Sequence, residues 1–384
     1  MSESEILSGR FAVTLRIQDP SFCLGTVGQF IYDIPQLLGH SNAINSATLC
    51  LISSYENFLR GCDPCNRIPP RLYSHALRSL QQALNDPNEW DSLGTLSSAI
   101  LLHRLEALFG NFRKNGIKVH ASGLAALLQK RGPPQKDDLM EFQANMDSHL
   151  SITQHYVSQR EDSFLVNPEW ADALDMRGHT TDLKTVYFRL MRSMTVWPTL
   201  VRESSLLATG DTGINIPSLS RKAHDVLNEL QHIEKSLDRF IYEHGSISEI
   251  PSRRLDDPLP TMFEVRTTMA AMAMCHLAIF SIVVCRILIS LRIKMKAESL
   301  ELEALVLKHC HRVWKLIEYS RLHEPLGLPA MQAALIFTFA SAHNESTKTY
   351  ILEALNDLDS FRRAEGETWS QEEVLYIARS LHGS

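Results

Sequence analysis

Positive charge never accumulates in this sequence. The basic residues come as pairs such as Arg253-Arg254 and Arg362-Arg363, and 38 Lys and Arg stand against 44 Asp and Glu, for a net charge of -6. A protein that grips a phosphate backbone unaided needs clustered cations, so direct DNA binding is not expected. Cysteine is scarce, at seven in 384 residues. The number is odd, and most of them (Cys50, Cys275, Cys285, Cys310) lie in apolar helical pattern, which excludes a disulfide-built scaffold and points to a reducing compartment. The first residues, Met1-Ser2-Glu3-Ser4-Glu5, are acidic where a signal peptide is basic and apolar, so no export is expected. There is no Gly-x-Ser-x-Gly elbow, no Walker loop and no Gly-x-Gly-x-x-Gly after a strand. An enzyme is therefore the less favoured reading, and no catalytic, cofactor-binding or metal residue is assigned. Alternating strand pattern and fixed-period repeats are missing as well.

What remains is helix. Hydrophobic residues make up 44% of the chain and charged residues 21%, the balance of a soluble globular protein with a substantial core. Apolar residues recur at helical spacing over most of the length, which predicts an all-α class: a single large domain of packed antiparallel helices. Residues 1–25 give no clear period and are expected to be an N-terminal extension, leaving 26–384 as the helical domain. Two helices are expected between 28 and 60, around a Gly39-His40-Ser41-Asn42 break. Further helices are expected over 72–86, over 93–109 with Asp91 or Ser92 as cap, over 137–155, over 182–201 and over 220–244. Residues 245–260, GSISEIPSRRLDDPLP, read as a linker. An apolar helix from 262 to about 298 and an amphipathic one bearing Leu302, Val306, His309 and Val313 follow it, then shorter helices over 329–342, 346–363 and 370–381.

One segment imitates a membrane span. Residues 267–285 carry no charge apart from His276, but the length is marginal for a span, and Arg286, Arg292 and Lys294 continue the same helix. A central buried helix is expected, and no membrane.

Four patterns hint at metal. Cys62-Asp63-Pro64-Cys65 has only Cys50 and His75 as nearby candidate ligands and falls short of the six cysteines of a binuclear zinc cluster, so a proline turn with two thiols is expected. His309-Cys310-His311 point about 100° apart on a helix, which makes His309 a core residue, and His323-Glu324 lacks a second zincin histidine. The acidic stretches Asp137-Asp138 and Asn356 to Ser360 suggest magnesium-dependent prenyl cyclisation, but position 364 is Ala where an acid is required and Glu365 is turned off the face. No metal and no cofactor are expected.

The most distinctive stretch runs from Val119 to Pro134, VHASGLAALLQKRGPP. Lys130 and Arg131 suit the end of a helix, Gly132 suits a left-handed cap, and Pro133 cannot continue. His120, Leu127 and Arg131 share a stripe with Gly123 beside them; the glycine is expected to let another helix backbone approach. His120 and Arg131 are candidates for a ligand pocket, with packing as the simpler role.

This stretch, with YSHALRSLQQAL (73–84) and LGTLSSAILLHRLEAL (93–108) before it and DSFLVNPEW (162–170) after it, resembles the fungal-specific transcription factor regulatory domain, the part that follows a binuclear zinc-cluster module. No zinc cluster is present in this sequence. The resemblance implies a regulator that sits in the nucleus, or otherwise in the cytoplasm, and acts through protein partners or a small apolar ligand, in a setting such as secondary metabolism. The alternative is a small-molecule binding protein or enzyme of secondary metabolism on the same helical fold.

Overall fold

Local sequence signals set most of the helix ends. Ser41 accepts from Ile44 N at 3.4 Å, Ser92 from Thr95 N at 3.1 Å, Asp182 from Thr185 N at 2.8 Å and Asn215 from Ser218 N at 2.9 Å, each opening a helix. Gly132 (φ +85°) and Gly245 (φ +58°) take the left-handed conformation that closes one. The computed structural model describes residues 2–110, 116–135, 138–173, 182–253, 258–362 and 367–382. Packed antiparallel helices make up almost all of it, as expected for an all-α chain. Its contacts divide it into two compact units.

The first unit comprises 1–155, 167–175 and 360–367. Helix Asn42–Leu59 packs against Pro70–Asn85 and Leu93–Phe109, and the latter against Gly116–Arg131. Ile44, Leu51, Ile52, Leu96, Leu101, Leu105, Leu124 and Leu128 are all nearly inaccessible. An aromatic cluster joins Phe58 to Phe22, Tyr55, Phe109 and Phe361 at centroid distances of 5.6 to 6.2 Å. The N-terminal stretch is more than an extension. Glu3–Leu15 is a helix, opened by a capping box between Ser2 and Glu5, and it packs on Asn42–Leu59. Leu7 and Phe11, one turn apart, are buried, and Arg10 pairs with Glu56 at 2.8 Å. Two apolar residues are too few to reveal a period, so tertiary contact stabilises what the pattern could not show.

The second unit comprises 156–166, 176–359 and 368–384. Its centre is helix Thr268–Lys294, surrounded by Leu183–Ser193, Ile216–His244, Leu300–Trp314 and Met331–Phe339. This helix is long and apolar enough to cross a membrane, and 89% of its most apolar window is buried inside the protein. The expected linker needs correction: its first half is a strand. Ile247–Pro251 pairs antiparallel with Thr261–Val265, Ile247 opposite Val265 and Pro251 opposite Thr261. Ile247 and Met262 are buried, and Phe263 N donates to Lys315 O at 2.8 Å. Ser248 and Pro251 of the expected linker lie in the first strand, and Ser252 N donates to Pro260 O at 3.0 Å just beyond it. Residues 254–257 lie outside the described residues, and the apolar helix starts at Thr268.

Candidate functional site

The chemistry-bearing side chains of the first unit converge on the helix Gly116–Arg131 and the helices packed beside it. The buried face of Gly116–Arg131 is Ala121, Leu124, Ala125, Leu127 and Leu128. His120 stands at its edge, where Nε2 lies 2.8 Å from Tyr73 Oη on helix Pro70–Asn85. Burial pushes the Tyr73 hydroxyl up, aided by the neighbouring Glu106 carboxylate. Burial pulls His120 below its ordinary value, against the opposing influence of Glu106. A Cβ at Gly116 would lie 2.8 Å from Glu106 Oε2. The glycine thus leaves room for the one charge that both rings feel.

Arg131 closes the helix and turns back onto the next one. Its Nη2 pairs with Glu141 Oε1, with side-chain exposures of only 8% and 15%. Gln135 N donates to Glu141 Oε2 at 3.2 Å, and Glu141 N donates to Asp138 Oδ1 at 2.9 Å. Nε and Nη1 of Arg131 are buried without hydrogen-bond partners among the described residues. Lys130 Nζ lies 3.9 Å from the centre of the Trp90 ring, a cation–π contact. His120 and Arg131 therefore both make packing contacts, and eleven residues of helix hold them about 16 Å apart along its axis.

Gly123 does not do what was expected of it. It is exposed, and a Cβ added there would meet nothing within 4 Å, so no helix backbone approaches it.

The helix Leu139–Gln159 carries a feature that sequence reasoning missed. Asn145, His149 and Thr153 follow at intervals of four and so share one face. All three are 1% exposed or less. Asn145 Oδ1, both ring nitrogens of His149 and Thr153 Oγ1 find no hydrogen-bond partner among the described residues. Burial alone pulls His149 down to about 4, so its imidazole is neutral, with one donor and one acceptor. In the sequence such polar spacing reads as a solvated helix face; only burial reveals the difference. On the same helix Ser151 Oγ lies 2.8 Å from His103 Nε2. Burial, with Arg104 and His120 nearby, takes His103 down to about 3, too weak a base to activate the hydroxyl.

The other patterns resolve into structure. Cys50 is buried while His75 is exposed, so neither completes a set with Cys62 and Cys65, and among the described residues no group of three metal-binding side chains occurs. His309 is buried at 3% exposure and Cys310 is fully buried, whereas His311 is exposed. His309 Nδ1 lies 4.0 Å from Glu234, which also pairs with Lys308 at 3.0 Å and Arg312 at 2.7 Å. Burial pushes the Glu234 carboxyl up, but His309, Lys308 and Arg312 outweigh it and hold the group below its ordinary value. Asn356 Oδ1 accepts from Trp369 N at 2.7 Å and so fastens the segment before helix Gln371–His382, while Asp357 pairs with Arg321 at 2.9 Å and ties helix Glu345–Asp359 to Ile317–Leu322. Asp137, Ala364 and Glu365 lie outside the described residues. No family model, curated protein or solved structure matches the chain.

Proposed function

We propose that this chain is a transcription-regulator-like protein with no DNA-binding module of its own, acting through protein partners or a small apolar ligand. One observation carries the reading. The three segments that resemble the fungal regulatory domain most closely are consecutive helices of one unit, Pro70–Asn85, Leu93–Phe109 and Gly116–Arg131. The polar residues of the signature are what tie them together and to the next helix, through Tyr73–His120, Lys130–Trp90 and Arg131–Glu141. Residues that make a sequence recognisable are here the ones that fix a helix assembly, which supports a shared module over a chance match. The reading carries with it a place in the nucleus, or otherwise the cytoplasm, a role in secondary metabolism, and no membrane. The burial of helix Thr268–Lys294 supports the last point.

With a net charge of -6 and only isolated basic pairs, regulation has to pass through a partner that binds DNA. Fusing the full chain to a heterologous DNA-binding module should change reporter output, and deletion should change transcripts. A silent fusion together with unchanged transcripts would refute the regulator.

A second reading, a small-molecule binding protein or enzyme of secondary metabolism, is favoured by the buried row Asn145, His149 and Thr153. Its unmatched polar atoms suit a neutral hydrogen-bonding guest. Under that reading, deletion changes a metabolite profile while transcripts stay constant.

A further inference from the structure

Six of the seven thiols fall into two chemical classes, and the seventh, Cys23, is half-buried with its Sγ 3.9 Å from Tyr32 Oη. Cys50, Cys275, Cys285 and Cys310 are fully buried, and burial pushes the first to about 11 and the other three to about 12. Thiolate is the reactive form, so these four are inert in the folded protein. Cys62 is half-exposed and Cys65 exposed, three residues apart across the 3-10 turn Pro64–Asn66.

The loop that carries them is fastened at its base and open at its apex. Cys62 N donates to Asn57 O at 3.0 Å, Asn57 Nδ2 donates to Arg67 O at 3.0 Å, and Arg67 Nε donates to Cys62 O at 3.0 Å. Cys62 and Arg67 are thus locked to the end of helix Asn42–Leu59, while Cys65 stands on a turn closed by Asn66 N to Asp63 O at 2.9 Å. Arg67 is 7% exposed. Its guanidinium lies 5.4 Å from the Phe58 ring centre and 5.8 Å from that of Phe361, whose carbonyl accepts from Nη1. The Arg67 guanidinium is therefore held at the carbonyl of Cys62, so the backbone of Cys62 is fixed while both sulfurs remain open to solvent.

We propose that Cys62 and Cys65 are an oxidisable dithiol, converted to an intramolecular disulfide by a low-molecular-mass disulfide such as oxidised glutathione. The thiolate of one cysteine attacks a sulfur of the small disulfide and expels one small thiolate. The thiolate of the second attacks the protein sulfur of the mixed disulfide and expels the other. One S–S bond forms in the protein and one breaks in the reagent. Two electrons and two protons pass from the protein dithiol to two small thiols. Closure fastens the free apex to the residue that Arg67 grips, so the redox state of the pair bears directly on the side chain that links this loop to the Ser360–Arg362 turn.

The test uses the full native chain equilibrated in glutathione buffers of graded ratio, quenched by alkylation and digested with trypsin. Cleavage after Arg60 and Arg67 releases both cysteines on one peptide, 61–67. The expected product is this peptide lighter by two hydrogens and unalkylated, appearing with a single midpoint, while Cys50, Cys275, Cys285 and Cys310 remain reduced. Cys65→Ser should trap glutathione on Cys62 and Cys62→Ser should trap it on Cys65, because neither variant can close the ring. A wild-type chain that retains glutathione on peptide 61–67, or keeps both thiols alkylatable at every ratio, overturns the proposal.

Discussion

Tyr73 Oη and His120 Nε2 meet at 2.8 Å and join two helices whose residues are 47 apart in the chain. A neutral, half-buried hydrogen bond of this kind contributes about 1 kcal/mol. Tyr73→Phe should lower the unfolding free energy in urea by about that amount, and adding His120→Phe should cost less than the two single changes summed. Strict additivity would show that the contact is not formed in solution.

Arg131 and Glu141 are the stiffer link. Both side chains are largely withdrawn from water, so Glu141→Ala strands a buried guanidinium and should destabilise by about 3 kcal/mol or more. Replacing both together, Arg131→Met with Glu141→Leu, should recover most of that loss. Thermal midpoints of the two variants check this, and a Glu141→Ala variant as stable as wild type would contradict it.

At Gly123 the expected sign is the reverse of what a packing role requires. With nothing within 4 Å of an added Cβ, Gly123→Ala should stabilise by about 1 kcal/mol through helix propensity. Gly123→Leu should be tolerated too. A fall in the urea midpoint for Gly123→Ala would refute the exposed placement.

Stability should fall in mild acid. His103, His149 and His309 are pulled down to about 3, 4 and 4, against 6.5 in an unfolded chain. As pH drops through about 6.5 the unfolded chain binds protons that the folded chain refuses, so unfolding becomes easier down to about pH 4. Each histidine contributes a slope of about 1.4 kcal/mol per pH unit in that window. Above pH 7 no such dependence arises from them. His149→Leu should reduce the slope of equilibrium unfolding between pH 6 and 5 by about 1 kcal/mol per pH unit; an unchanged slope would place His149 in contact with solvent.

Capping chemistry was the most legible part of this sequence. Ser92 and Gly132 act as helix cap and left-handed stop because their signals are local. His309 was legible as a core residue because it falls on the apolar period. Glu3–Leu15 was hidden because its buried side chains are two apolar ones, Leu7 and Phe11, and the polar Thr14, and the hairpin because five-residue strands are too short to establish alternation. Gly123 lies beside the stripe of His120, Leu127 and Arg131, but that stripe is an edge of the buried face and not its middle. The buried residues Ala121, Leu124, Ala125, Leu127 and Leu128 centre it about 70° away, which leaves Gly123 outside. The row Asn145, His149 and Thr153 could not be seen at all, since polar residues at helical spacing look the same whether water or protein covers them.

The helix Thr268–Lys294 is covered on one side by Ile216–His244, which precedes it in the chain, and on others by Leu300–Trp314 and Met331–Phe339, which follow. During synthesis at roughly 5 to 20 residues per second, this apolar segment leaves the ribosome seconds before its later partners exist. For that interval it is a greasy rod with half a coat. The order in which the helices are made sets how long that exposure lasts.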